Sequence, residues 1–209
     1  MPRHPTIPLL CVLLAMLAPV QAQVADNAEL ASIHREDQQA RADAANIYWP
    51  VVYREDAARR ARVLALMRDG ALRTAADHYH AAMVFQHGSG LEDIRIAHAL
   101  STLASTLDPD EIRYRWLAAA SWDRIMTTRL QPQWFGTQFH GDEAGLFLYP
   151  VADGAVDDAE RVRMGVPRLA DTQATVGEMA AAMGQQVHPD PPTIEQLRQE
   201  RRPGETPAP

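Results

Sequence analysis

The chain has 209 residues, of which 27 are acidic and 20 are basic, and its formal net charge is −7. A negative chain of this kind argues against nucleic acid or an anionic membrane surface as a partner, and because every basic residue is arginine, lysine-dependent Schiff-base chemistry is excluded. The length suits one domain with its own hydrophobic core.

Residues 1–22 have the features of a secretory signal peptide. Arg3 precedes an apolar run over 7–20, and small residues lead to a predicted cleavage point after Ala22. This run is too short for a typical membrane-spanning helix, and no later segment is longer and equally apolar. We therefore expect a periplasmic or secreted protein with no membrane insertion after signal cleavage. Cys11 lies within the signal, so the mature domain has no cysteine and cannot form a disulfide.

Four helices are predicted in the first part of the chain. Thr74 with Asp77 three residues later resembles a capping box, and Ser89 with Glu92 repeats the pattern a short distance on. The third and fourth helices must then be joined by only a few residues and pack closely. Apolar spacing, proline and glycine place the four helices at about 27–47, 51–68, 75–86 and 90–107.

The second part of the chain begins with the sequence LDPDE. Asp108 as the N-cap and Pro109 at the first helical position predict a fifth helix that ends near residue 130. GLFLYPV predicts one short extended segment, and two short helices follow it. Residues 27–185 are thus predicted to be all-α, an irregular single-domain helical bundle of five to seven helices. The Pro-rich and charged residues 186–209 predict a disordered tail.

Two histidines on the third helix are candidates for chemistry. His80 and His87 are seven residues apart, which places them near one helical face, and Asp77 lies one turn before His80. Seven residues span about 10.5 Å of helix axis, too far for both rings to reach one metal ion, so we predict no metal site and no cofactor. His87 follows Gln86 at the helix end. There it is a candidate general base, or it can donate a hydrogen bond to the free carbonyl groups of the helix end.

His98 lies on the fourth helix, opposite a stripe of leucines and beside Ser101 and Ser105. Small residues allow a second helix to approach closely, which predicts that His98 is hydrogen-bonded across that contact. A histidine between small residues is also what a catalytic pocket requires, so His98 is the other candidate general base.

Asp123 and Arg124 lie on the fifth helix, whose Trp116 and Trp122 indicate that much of its surface is covered. A buried charge must be paired, so we expect Asp123 to accept hydrogen bonds from an arginine or a histidine elsewhere. Arg124 is expected to hold backbone carbonyls or a bound anion. Both residues are candidates for catalysis as well as for structural ion pairs.

QPQWFGTQF, at 131–139, is an unusual helix connector because it combines three amide side chains with two adjacent aromatic residues, Trp134 and Phe135. The amides and the Thr137 hydroxyl can donate and accept hydrogen bonds, and Gly136 permits close backbone approach. We predict that this loop is buried and that its side chains form hydrogen bonds with its own backbone, an arrangement that we call a buried lock. The alternative is that the loop forms the polar wall of a pocket. The candidate binding residues are Gln86, Gln133, Thr137 and Gln138.

Six segments occur in an order that resembles a known family. They are DQQAR, AAMVFQHG, IAHAL, RWLAAASWDRIM, QPQWFGTQF and PVADGAVDDAERVRMGVP, which together extend over 37–167. This set is similar to an uncharacterised bacterial family, a domain of unknown function whose hallmarks are a Gln-His pair, an Asp-Arg pair and a Gly-Thr-Gln motif. The chain departs from the family in the first linker, where RDGALRT replaces a Gly-Trp-Pro turn. The resemblance implies a shared domain and no particular activity.

The chain has no G-x-S-x-G, H-E-x-x-H, P-loop or dinucleotide-binding motif. We therefore predict an exported binding or interaction protein whose partner is an unknown small molecule or protein, with no nucleic acid partner. The alternative is a hydrolase or lyase in which His87 or His98 is the general base. In that alternative Asp123 orients the histidine, and Arg124 or the loop amides stabilise an anion.

Overall fold

The computed structural model describes residues 24–43 and 46–200, so the predicted signal peptide lies outside the described residues. The fold is mostly helical and also contains a two-stranded antiparallel sheet, so it is not purely all-α, and it has more helices than the five to seven predicted. The elements in chain order are α1 (Ala28–Gln39), α2 (Trp49–Arg68), α3 (Ala75–Gln86), α4 (Leu91–Leu107), α5 (Ile112–Thr128), β1 (Phe139–Asp142), β2 (Gly145–Leu148), α6 (Asp158–Arg163), α7 (Leu169–Ala174), α8 (Val176–Ala182) and α9 (Ile194–Glu200). Within the described ranges, no helix is both long and apolar enough to cross a membrane.

Helix α3 is the centre of the bundle and contacts α1, α2, α4 and α5. Ala81 and Ala82 are fully buried, and their small side chains allow these neighbours to approach closely. Larger apolar side chains fill the spaces around them, including Leu30, Val63, Val84, Phe85 and Leu117. The third helix begins and ends where the sequence predicted, and the predicted Thr74 capping box is present.

The capping box also fixes α1 against α3. The Asp77 carboxylate accepts the backbone N–H groups of Thr74 and Asn27, at 3.1 and 2.7 Å, and Asn27 is the N-cap of α1. One buried carboxylate therefore holds the beginnings of two helices together. Because the helices start side by side and run in the same direction, their C-terminal ends also meet.

Three predicted helix boundaries differ from the structure. Helix α1 ends at Gln39 rather than near residue 47, because the backbone N–H groups of Arg41 and Ala42 bond three residues back, to Gln38 and Gln39, and tighten the chain out of the helix. Gly90, not Ser89, is the N-cap of α4. Asp108 is not the cap of α5 but the C-cap of α4, and the N-cap of α5 is Glu111.

The connection between α3 and α4 is as short as predicted and depends on Gly88. A Cβ atom placed on Gly88 would lie 2.2 Å from the Cβ atom of Asp93, which no packed pair of atoms tolerates. Asp93 in turn pairs with Arg60 of α2 at 3.1 Å. Glycine therefore allows α4 to turn back directly onto α3.

The sheet is a hairpin in which Phe139 pairs with Leu148. The sequence predicted only the second strand, because β1 (FHGD) is largely exposed and has no apolar alternation. Leu146 also exchanges backbone hydrogen bonds with residues 186–188, whose amide and carbonyl groups extend the sheet. The structure therefore differs from the predicted disordered tail over 186–200, which pairs with the hairpin and then forms α9.

Candidate functional site

Asp123 organises the loop between α5 and β1. Its carboxylate is fully buried and accepts four hydrogen bonds of 2.8–3.0 Å, from the N–H groups of Trp134, Phe135 and Thr137 and from the Thr137 hydroxyl. Burial raises the pKa of Asp123, and these four donors oppose that rise. The prediction that an arginine or histidine would pair with Asp123 is wrong, because within residues 24–43 and 46–200 all the hydrogen bonds to this carboxylate come from the loop itself.

The side-chain amides of the loop also make hydrogen bonds within the protein. Gln133 is fully buried, and its side chain donates to the carbonyls of Gln138 and Tyr149 and accepts the Gln138 N–H, all at 2.8–2.9 Å. The Gln138 side chain donates to the Ala120 carbonyl of α5 at 3.2 Å. Gly136 has a φ of 88°, a conformation that favours glycine. This geometry favours the buried lock over a pocket wall for the predicted binding residues Gln133, Thr137 and Gln138.

One side of the locked loop borders a cavity of about 610 Å³ between α4, α5 and the segment around α6. We call this cavity the aromatic groove. Trp122 and Trp134 meet there edge to face, with their ring centroids 4.9 Å apart, and His98 lies 5.5 Å from Trp122. The residues that matter most for the groove are His98, Arg115, Trp122, Trp134, Glu160 and Arg163.

Two buried donors of the aromatic groove have no acceptor. The Trp122 Nε1–H and the Arg115 Nε–H are both inaccessible to solvent and make no hydrogen bond within the part of the chain that the structure describes. A buried polar group without a partner is uncommon and costs about 1–3 kcal/mol. The sequence did not single out Arg115, although its spacing of seven residues from Trp122 places both on one face of α5.

His98 is hydrogen-bonded across the α4–α5 contact, as predicted. Its Nδ1–H donates to the Ala118 carbonyl at 3.1 Å, which leaves Nε2 as the acceptor of the ring. Burial lowers the pKa of His98 and outweighs the opposing effect of this hydrogen bond. His98 is therefore neutral at pH 7 and adds an acceptor to the groove rather than a charge.

A second polar region lies where the C-terminal ends of α1 and α3 meet α2. His87 donates from Nδ1 to the Asp37 carboxylate at 2.9 Å, and Arg41 contacts both Asp37 and Asp56. Asp56 also pairs with Arg59 at 2.6 Å. These five residues form the charged cluster. Burial acts to raise the pKa of Asp37, but the hydrogen bond from His87 and the charge of Arg41 outweigh it and hold the pKa below its usual value.

The carboxylate that orients His87 is Asp37, not Asp123 as predicted. Sequence reasoning missed Asp37 because it lies 50 residues before His87 on a different helix. Its position continues the apolar spacing of Leu30 and Ile33, and a charged residue on such a stripe indicates a buried partner. Gln86, the other predicted binding residue, is buried, and its side-chain oxygen has no partner among the described residues.

The predicted catalytic residues do not form one site. His98 lines the aromatic groove, Asp123 holds the loop, and His87 belongs to the charged cluster. No hydrogen bond or ion pair to the Arg124 side chain is present in the described ranges, which together cover 24–43 and 46–200. In the same part of the chain, no group of three or more His, Cys, Asp or Glu side chains could hold a metal ion.

His34 and His80 stack between α1 and α3, with their ring centroids 4.5 Å apart. Burial, and then the charge of His80, lower the pKa of His34 to about 4. The folded state thus binds a proton at His34 less readily than the unfolded state, whose pKa is about 6.5.

We expect stability to fall as the pH decreases from 6.5 towards 4, because protonation of His34 then favours the unfolded chain. The loss is about 2 kcal/mol after allowance for the partial exposure of this ring. Urea unfolding at several pH values checks it. His34→Phe should show a weaker pH dependence over this interval, whereas His78→Gln, outside the stack, should behave like the parent. The expectation would be contradicted if the free energy of unfolding fell equally steeply with decreasing pH in the parent and in His34→Phe.

Comparison of the chain with protein-family models, with curated proteins and with solved structures gives no match. The resemblance to a bacterial family of unknown function therefore stays a prediction. The features of the molecule that bear on its function are the Asp123 loop, the charged cluster and the aromatic groove.

Proposed function

We propose that the protein is an exported binding protein whose aromatic groove holds a small aromatic carboxylate. The observation that carries this proposal is the pair of buried donors without acceptors, Trp122 Nε1–H and Arg115 Nε–H, at one cavity. A carboxylate ligand that enters between the groove walls and uncovers these two N–H groups supplies the missing acceptors. The predicted signal peptide supports export, because its basic start, apolar run and small residues before the predicted cleavage point are typical of exported proteins.

The size and lining of the groove favour a ring-shaped ligand. Its volume of about 610 Å³ is in the range of small-molecule sites, and Trp122 and Trp134 offer ring surfaces against which a flat ligand can pack. A larger apolar surface without polar groups would favour a lipid chain instead, but this groove also contains the donors described above.

The charges of the groove favour an anionic ligand. Glu160 and Arg163 neutralise each other through two hydrogen bonds, so they contribute little net charge. Arg115 has no carboxylate partner among the described residues, and its recorded acceptor is the carbonyl of Pro109. The net charge of the groove is therefore positive. A carboxylate against a guanidinium forms a charge-assisted hydrogen bond, which is stronger than one between neutral groups.

Indole-3-acetate, phenylacetate and their neutral amides are suitable probes for the groove. We expect both acids to raise the melting temperature of the parent, and we expect phenylacetate, which has no indole emission of its own, to quench tryptophan fluorescence. Trp122→Phe keeps an aromatic ring but removes the N–H group together with the five-membered part of the indole, and should weaken binding about tenfold or more, of which one hydrogen bond to a charged group accounts for about tenfold. Arg115→Gln should reduce the preference for acids over amides.

Trp116→Phe is the matched control, because Trp116 is a partly exposed tryptophan of the same helix that does not line the groove. It should bind the acids as the parent does. Equal affinity of parent and Trp122→Phe, or no binding of any probe by the parent, would contradict the proposed ligand class.

Acid–base catalysis by His87 is a second candidate function, and the hydrogen bond from Nδ1 to the buried Asp37 favours it. That bond fixes the ring and leaves Nε2, which makes no hydrogen bond within the described residues, to accept a proton from water. Hydrolysis of p-nitrophenyl acetate by the parent, lost in His87→Gln and kept in His98→Gln, would support this candidate. Equal rates in all three proteins would exclude it for this substrate.

A further inference from the structure

The two long helices that border the aromatic groove differ in what they offer to a ligand. Helix α5 supplies the two N–H groups without partners, those of Trp122 and Arg115. Helix α4 supplies His98, Ser105 and Thr106, which line the same cavity. The protons of these three α4 side chains are bonded to carbonyl groups of the protein. The α4 side of the groove therefore offers lone pairs to a ligand, and the α5 side offers donors.

His98 is the acceptor whose orientation the structure fixes best. Its Nδ1–H bonds the Ala118 carbonyl at 3.1 Å and lies 3.3 Å from the Ser121 hydroxyl oxygen, and a flipped ring would lose both contacts. A neutral imidazole carries one proton, so Nε2 is an acceptor. Nε2 makes no hydrogen bond within the part of the chain that the structure describes, and it is not one of the buried atoms there that lack a partner, so it is open to solvent. The ring centroids of His98 and Trp122 are 5.5 Å apart, so this acceptor lies close to one of the two free donors.

Two hydroxyl groups extend the acceptor surface along α4. Thr106 donates its hydroxyl proton to the Thr102 carbonyl at 2.8 Å, and Ser105 donates to the same carbonyl at 2.9 Å. Hydroxyl groups that bond back to their own helix still have oxygen lone pairs for a ligand. Ser105 and Thr106 follow His98 by seven and eight residues, which is about two helical turns, so all three share one face of α4.

We propose that the ligand of the aromatic groove is an aromatic carboxylate whose ring carries a hydrogen-bond donor, such as a phenolic hydroxyl, and that His98 Nε2 accepts this donor. The inference rests on the proposed function, from which it takes the carboxylate. An ionised carboxylate has no proton to donate, so it cannot bond Nε2. A ring without a donor displaces water from Nε2 and leaves that atom without a partner, which costs affinity, whereas a phenolic hydroxyl replaces the water. His98 thus determines which aromatic acids bind.

The probes are 4-hydroxyphenylacetate and 4-methylphenylacetate, which are nearly equal in size and differ in the donor. Calorimetry of the parent should give at least about fivefold tighter binding of the hydroxyl acid, the equivalent of one hydrogen bond between neutral groups. The 3-hydroxy and 3-methyl acids test the neighbouring ring position, and we expect the preference at one position or at both.

His98→Phe keeps a ring of similar size and removes the acceptor, so it should bind the hydroxyl and methyl acids with equal affinity. His78→Phe is the matched control, because His78 also bonds a carbonyl through Nδ1, that of Thr74, and does not line the groove. This control should keep the preference of the parent for the hydroxyl acid.

Nitrogen-15 NMR of the parent gives a second measurement that needs no folded phenylalanine variant. The Nε2 signal of His98 is assigned by its absence from His98→Gln. A ring nitrogen that accepts a hydrogen bond resonates upfield of one that accepts none. Saturation with the preferred hydroxyl acid should therefore place this signal upfield of its position with the matching methyl acid, and equal positions would contradict the contact.

The outcomes separate this inference from the proposed function. Equal affinity for hydroxyl and methyl acids at both ring positions overturns the inference alone, and so does a hydroxyl preference that persists in His98→Phe. If the hydroxyl preference is present and depends on His98, but acids bind no better than their amides, the contact to His98 is supported and the carboxylate is contradicted. No binding of any of these acids by the parent overturns both.

Discussion

Replacing Asp123 with alanine is expected to lower the free energy of unfolding by about 3–5 kcal/mol, because three backbone N–H groups and one hydroxyl lose their acceptor at once. Water cannot easily replace the carboxylate, since Asp123 is fully buried and Phe135 nearly so. On a domain of this size such a loss is a large part of the total stability. Thermal and urea unfolding of the variant beside the parent measure it.

Asp123→Asn separates the shape of this side chain from its acceptor capacity. The amide oxygen can still accept from Trp134 and Phe135, whereas the amide nitrogen faces the Thr137 N–H, so the loss should be smaller than for alanine. Thr137→Val removes only the hydroxyl bond and should cost about 1 kcal/mol. If alanine and asparagine at 123 both melt with the parent, the loop is not held by this carboxylate.

Replacing Asp37 with alanine is expected to lower the free energy of unfolding by about 3–5 kcal/mol, because it leaves Arg41 and His87 without their shared partner. The effect should depend on pH in a definite direction. The pKa of Asp37 lies below its usual value, so its contribution is complete above about pH 4 and is lost as the pH falls further. Parent and variant should therefore differ most near neutral pH.

Glu36→Ala is the matched control for this variant, since Glu36 is the neighbouring acid of α1 and is exposed. Its removal should change the free energy of unfolding by less than about 0.5 kcal/mol. Asp37→Ala and Glu36→Ala of equal stability at pH 7 would show that the charged cluster does not stabilise the fold.

Local sequence rules predicted α3 well and the boundaries of α1 and α5 poorly, for an identifiable reason. The Thr74 capping box is made by residues three apart, so its geometry is present in the sequence itself. Asp108 and Pro109 show an equally typical pattern, yet the chain uses Asp108 to end α4, because it needs two more residues to turn before Glu111. Tertiary packing decides between two caps that local propensity cannot distinguish.

The candidate site was predictable in its residue types and not in their pairing. The sequence indicated that Asp123 and His87 needed polar partners, and both have them. The partner of Asp123 is the backbone of a loop, which carries no side-chain pattern, and the partner of His87 is Asp37 on a distant helix. The polar donors of the aromatic groove were missed because an unpaired N–H group has no signature in a sequence.

Trp122 and Asp123 are consecutive residues of α5, and both of them contact Trp134 of the following loop. Asp123 accepts the backbone N–H of Trp134, and the Trp122 ring meets the Trp134 ring edge to face. One aromatic wall of the groove therefore belongs to the same hydrogen-bonded unit that stabilises the loop. Loss of the Asp123 carboxylate should for this reason weaken the binding of a ligand in the groove as well as the fold.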